Sequence, residues 1–253
     1  MNQPNAGFAN FAVLVESLLP IIEASGDIDA NEVRDQVLEK AKGVFEEAVA
    51  EAMRTKLGLV GGSEEAKTSA EDLWGEIEQL LRGSRGDWTV FWRQLTYVAA
   101  AYPPAKATEG GQDGDPPDYD SMMTTLLSEK NTYPFYEELT EENRAKLRVW
   151  IEKWHRALDK HSTENSPPEE TMRLANPKYT LREWMLVEAY TRADPGKPSG
   201  SPFPATGGDY GGVRELFELC KDPYGEGSVE MSAKYYRRAP DEALTAGGTA
   251  FMS

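Results

Sequence analysis

DANEVRDQVLEKAKGVFEEAVAEAMRTKL, residues 29–57, sets the fold class. Its apolar residues Val33, Val37, Val44, Phe45, Ala48, Ala52 and Met53 recur at steps of three and four, the spacing that puts side chains on one face of a helix. Asp29 followed by Glu32 has the form of a capping box, and Gly58 supplies a stop after Leu57. Working outward, the same grammar repeats. Thr68 with Glu71 predicts the entry to a helix bearing Leu73, Trp74, Ile77, Leu80 and Leu81, closed by Gly83. Asp87 caps one bearing Trp88, Phe91, Trp92, Leu95 and Val98, and Thr140 opens one running through Leu147, Trp150, Ile151, Trp154 and Leu158. Thr180 with Glu183 predicts another, with Leu181 and Trp184 inward, and a last helix carries Val213, Leu216, Phe217 and Cys220. Strand alternation is missing, so the expectation is an all-α chain.

Two stretches interrupt the helices. Residues 103–118 (PPAKATEGGQDGDPPD) and 194–208 (DPGKPSGSPFPATGG) are rich in Gly, Pro and Ser and read as insertions. They divide the chain into residues 1–102 and 119–253, the second part holding the second insertion.

Composition narrows the function classes. The 253 residues carry 43 acids against 27 bases, a formal charge of -16 that repels nucleic-acid backbones. The densest basic cluster, Lys234, Arg237 and Arg238, is small, so no nucleic-acid partner is expected. No uninterrupted apolar run reaches membrane-spanning length, so no membrane partner is expected either. The N-terminus shows no signal or transit peptide. Cys220 is the single cysteine, which excludes an internal disulfide, and its apolar spacing predicts a buried, inert thiol. His155 and His161, six apart, do not share a helix face and read as surface residues rather than metal ligands.

No catalytic, cofactor-binding or metal-binding residue emerges. The Gly-Gly pairs at 61–62, 110–111, 207–208, 211–212 and 247–248 stand in neither of the common phosphate-binding frames. The run Asp113, Asp115, Asp118 and Asp120 lacks the glycine and the twelfth-position acid of a calcium loop, where Thr124 falls. Trp88 with Trp92, and Trp150 with Trp154, are i,i+4 pairs that could stack a ring but read first as core.

Several blocks resemble the selenoprotein O family. They are NQPNAGFANFAVLVESLLPII (Asn2 to Ile22), MRTKLGL (Met53 to Leu59), GDWTVFWRQL (Gly86 to Leu95), NPKYTLREWM (Asn176 to Met185), GDY (Gly208 to Tyr210) and VRELFELCKDPYGE (Val213 to Glu226), in the family's order between Asn2 and Glu226. The resemblance implies the helical C-lobe and C-terminal extension of a protein-kinase-like fold. It implies transfer of AMP from ATP to protein hydroxyls with Mg²⁺ or Mn²⁺, and mitochondrial residence in eukaryotes. In the family, the glycine-rich loop, the phosphate-contacting Lys and Arg, and the T-D-N and D-Y-G segments all precede the N-Q-P block. No catalytic role therefore carries over onto residues here. Family members commonly end with a cysteine or selenocysteine three positions from the C-terminus, which this sequence lacks, leaving redox control through the tail unsupported. The expectation is a fragment truncated at both ends, inactive alone, whose partner is the missing N-terminal catalytic lobe. The rival expectation is a stand-alone helical interaction module.

Overall fold

The computed structural model describes residues 3–26, 29–59, 61–104, 117–128, 132–161, 167–193, 209–241 and 243. Ten helices lie among them: α1 (Gln3–Glu23), α2 (Ala30–Leu57), α3 (Glu64–Gly83), α4 (Trp88–Ala101), α5 (Tyr119–Leu126), α6 (Glu141–His161), α7 (Pro168–Ala175), α8 (Glu183–Ala193), α9 (Gly211–Lys221) and α10 (Val229–Tyr235). No strand occurs among the described residues, only an isolated antiparallel bridge between Gly86 and Phe135. The all-α expectation holds. Helices α5, α7 and α10 were not foreseen; each has eight residues or fewer, too short for a periodic signal. Most of the first insertion and all of the second lie outside the described residues.

The chain divides into two compact units, Met1–Thr55 and Lys56–Ser253. In the first, α1 meets α2 through Phe8 and Phe11, whose rings lie 5.6 and 6.2 Å from that of Phe45. Glu16 reaches Arg34 at 3.7 Å. Asp29 caps α2 as expected, its carboxylate accepting from the backbone N–H of Asn31 at 2.9 Å and of Glu32 at 3.3 Å. Helix α1 runs through Pro20 to Glu23. Residues 4–23 thereby form a helix long and apolar enough to cross a membrane, which corrects the expectation that no segment qualifies. Glu16 and Ser17 interrupt the apolar residues of this segment, so no continuous run marks it in the sequence.

The second unit is built around α4, where nine of fourteen residues are buried, among them Phe91, Trp92, Arg93 and Leu95. A helix buried nearly all round has neighbours on every side. One apolar cluster joins α4 to α3, α5, α6 and Met172 of α7; a second joins Val90 to Trp184, Leu216, Leu219 and Tyr235. The tryptophans bear out the core reading for Trp92, Trp150, Trp154 and Trp184, while Trp88 stays 37% exposed at the edge of Trp74. The buried indoles of Trp150 and Trp154 donate to the carbonyls of Leu73 and Leu57, both at 2.8 Å. Gly58 ends α2 with φ +74°, and a Cβ there would lie 2.9 Å from the Met172 sulfur. Both the backbone and the space require glycine.

Local signals misled at five places. Helix α3 starts at Glu64, with Ser63 capping it through Ala66 N–H; Thr68 lies a turn inside and donates its hydroxyl back to Glu64 O. Helix α8 starts at Glu183, because Lys178 and Tyr179 donate their backbone N–H groups to Pro223 O and hold the chain extended past Thr180. Leu181 is therefore outward, 46% exposed. Helix α9 buries Gly212, Leu216 and Leu219, which turns Val213, Phe217 and Cys220 to solvent, so the thiol is exposed rather than buried. His155 is buried, not superficial, with Nε2 3.2 Å from Tyr102 O.

Candidate functional site

The ionisable groups that the apolar core cannot dilute converge on one polar network at α4. Asp87 caps this helix by accepting from Val90 N–H at 3.0 Å. Its carboxylate also takes both ends of the Arg182 guanidinium, at 2.6 and 2.7 Å, and the Tyr136 hydroxyl at 3.3 Å. Both members of the ion pair are 5% exposed. Burial opposes the Arg182 charge, but the hydrogen bonds and charge of Asp87 outweigh it and hold its pKa above the ordinary arginine value. Burial, then the Asp87 charge, pushes the Tyr136 hydroxyl up.

Two turns along α4, Arg93 is fully buried. Its Nε donates to the Tyr97 hydroxyl at 3.3 Å, Nη1 to the carbonyls of Arg173 at 3.3 Å and Asn176 at 3.0 Å, and Nη2 to Tyr224 O at 3.1 Å and to Glu226. All five N–H donors of the guanidinium are thus used. Glu226 gives one carboxylate oxygen to Arg93 and the other to Lys178 Nζ at 2.9 Å and the Tyr97 hydroxyl at 2.8 Å. Burial alone would raise this carboxyl, but Lys178, Tyr97 and Arg93 overcome it and bring its pKa to about 2. The Glu226 carbonyl accepts from Lys178 Nζ and Tyr179 Oη, each at 2.8 Å, and from Ser232 Oγ at 3.2 Å. Gly227 follows with φ +64°, and a Cβ there would stand 2.5 Å from the Tyr179 hydroxyl.

The third cluster brings Lys56, the first residue of the second unit, to the same place. Pro177 keeps Asn176 extended (φ -113°, ψ 91°). Its buried amide donates to Lys56 O at 3.0 Å and Thr96 Oγ1 at 3.2 Å. Lys56 Nζ donates to the α7 C-terminal carbonyl of Ala175 at 2.8 Å and to Asn176 Oδ1 at 3.3 Å. Burial without a carboxylate partner lowers the Lys56 pKa to about 8.

The chemistry of this arrangement is that of a clamp. Both oxygens of Asp87 and of Glu226 are occupied, and Arg93 has no donor left, so none of the three is poised to move a proton to or from a substrate. A hollow of about 300 Å³ opens beside Arg93, Tyr97, Glu169, Arg173 and Glu226. Among the described residues no group of three or more His, Cys, Asp or Glu is placed to hold a metal ion. The sequence marked Asp87 only as a local helix cap; the network partners lie 95 and 83 positions apart (Asp87–Arg182, Arg93–Asn176), a separation no local pattern spans. One signal was present. Lys56, Asp87, Arg93, Asn176, Lys178 and Glu226 fall in four of the six blocks singled out in the sequence, and these blocks meet here.

Comparison with known proteins bears on what this clamp belongs to. The sequence profile of a family described as protein adenylyltransferase SelO matches residues 1–197. A protein nucleotidyltransferase YdiU of Flavobacterium johnsoniae is 26% identical over 254 residues, covering 100% of this chain and 40% of that protein. One from Cereibacter sphaeroides is 26% identical over 225 residues, 89% of this chain and 35% of the relative. One from Albidiferax ferrireducens is 35% identical over 99 residues, 39% of this chain and 19% of the relative. The chain thus spans at most about 40% of the length of these relatives.

Proposed function

The chain belongs to the protein adenylyltransferase SelO family, and from that premise we propose that it is the helical scaffold of such an enzyme and not the seat of its chemistry. In this reading residues 1–102 are the C-lobe portion of a protein-kinase-like fold and residues 119–253 its C-terminal extension. Residues 103–118 and 194–208 are insertions. The nucleotide, Mg²⁺ or Mn²⁺, and the acceptor hydroxyl of a protein substrate are handled by an N-terminal catalytic lobe that this chain does not span. ATP and its cations would supply the AMP group and neutralise phosphate charge. This chain's own residues brace the lobe: Asp87, Arg93, Lys178, Arg182 and Glu226 fix α4 against the segments that follow α7 and α9.

The observation that carries the reading is the saturation of that network. Every carboxylate and guanidinium in it is consumed by a structural partner, in a chain that spans 40% of a family-length relative. The test is AMP transfer. The purified chain, given ATP labelled at the α-phosphate with Mg²⁺ or Mn²⁺ and a protein acceptor, should incorporate no label. Incorporation that disappears in Glu226→Gln or Asp87→Asn would place chemistry in the clamp and overturn the reading. A stand-alone interaction module is the second reading. It is favoured by the unit Lys56–Ser253 holding two apolar clusters and the whole network within itself.

A further inference from the structure

Lys56 is the cation of the clamp that faces no carboxylate. Arg182 is paired with Asp87, while Arg93 and Lys178 share Glu226. Lysines elsewhere are ion-paired as well: Lys146 with Glu142, Lys153 with Glu76 and Lys160 with Glu65. The half-buried Lys56 amine has two neutral oxygens instead, Ala175 O at 2.8 Å and Asn176 Oδ1 at 3.3 Å. Two acceptors match the two N–H donors of an uncharged amine and leave its lone pair free. An ammonium in the same place carries a third N–H and a full charge with no counter-charge opposite.

The surroundings therefore favour release of the proton, and an uncharged amine is a nucleophile. Burial is the sole cause of the lowered Lys56 pKa, about 8 against an ordinary 10.5. Neither Glu51 or Arg54 on its own helix, nor Arg93 on α4, nor Glu169, Glu170 or Arg173 on α7 adds to the shift.

We propose that Lys56 is a covalent modification site of this chain, acylated at Nζ by small activated acyl donors of the acyl phosphate class. The inference goes beyond the functional reading above and does not depend on it. The Nζ lone pair attacks the carbonyl carbon and forms a C–N bond. The C–O bond to phosphate breaks, phosphate leaves with the electron pair, and the proton released from nitrogen passes to water. The product amide keeps one N–H for Ala175 O and leaves Asn176 Oδ1 without this donor. At Lys146, Lys153 or Lys160 the same reaction breaks an ion pair; at Lys56 it discharges a cation that no carboxylate balances.

The test incubates the full chain with acetyl phosphate and follows each lysine by peptide mass spectrometry. At about pH 7.5, roughly a quarter of an amine titrating near 8 is uncharged, against about one in a thousand for an amine titrating at 10.5. Lower basicity makes each free amine less reactive and returns part of that advantage. Lys56 should be acetylated faster than the exposed Lys40 and Lys42 by about five-fold or more. Its rate should level off above about pH 8.5. In concentrated urea the lead should vanish, because the fold creates it. A smaller lead in the folded chain, a Lys56 rate still climbing at about pH 10, or a preference that survives urea would each overturn the proposal. Only the wild-type chain is needed, so no variant has to fold.

Discussion

At the scale of single residues, the two ion pairs at α4 behave differently because one is buried on both sides and the other is not. Asp87 and Arg182 are each 5% exposed, so Asp87→Ala leaves a guanidinium uncompensated inside the fold. That change should cost about 3–5 kcal/mol, read from urea denaturation. Replacing both by apolar residues of similar volume should recover much of the loss. Glu226 has a side chain 56% exposed, and solvent screens it. Its carboxyl titrates near 2 in the folded chain, below the ordinary 4.5. The unfolded chain therefore binds this proton first as acid is added. The stability that Glu226 supplies is complete above about pH 4.5 and is lost as the pH falls towards 2. Glu226→Gln should flatten the stability curve in that window and leave its shape near neutrality unchanged. Lys56 gives a slope of the same sign for a different reason, relief of a buried charge: burial lowers it to about 8, so stability should rise between about pH 8 and 10.5, where the folded chain has shed the proton that the unfolded chain still holds. Lys56→Met should remove that rise.

At the scale of elements, what the sequence disclosed depended on how local the cause was. Asp29, Asp87 and Thr140 cap their helices within three residues, and each was legible. Gly58 was legible for the same reason. The face that α9 buries was not. Val213, Phe217 and Cys220 have the same spacing as Gly212, Leu216 and Leu219, and the choice between stripes is made by Ala189 of α8, 3.3 Å from where a Cβ on Gly212 would stand. A small residue admits the neighbouring helix, and the larger ones turn away. The start of α8 was illegible likewise, because a carbonyl 45 positions on, that of Pro223, holds Lys178 extended. The clamp's parts were visible as blocks, but their mutual bonding was not. The tryptophans test the packing of elements. Trp92→Ala and Trp150→Ala should each cost about 3–5 kcal/mol, and Trp88→Ala, at a 37% exposed position, less than half of that. Equal costs at all three would mean that the Trp74–Trp88 edge contact is part of the core.

At the scale of the whole molecule, family membership and incomplete span pull the same way. A chain matched over residues 1–197 to adenylyltransferases, yet spanning 40% of a relative, is expected to carry the family's architecture without all of its chemistry. Its acidic surplus fits that expectation, since a charge of -16 offers a triphosphate no general attraction. The most direct test is therefore equilibrium binding of ATP with Mg²⁺ to the purified full chain, by calorimetry. The account predicts no saturable one-to-one heat at ligand concentrations up to about 100 µM. A one-to-one dissociation constant below that value, roughly -5.5 kcal/mol or tighter, would contradict it.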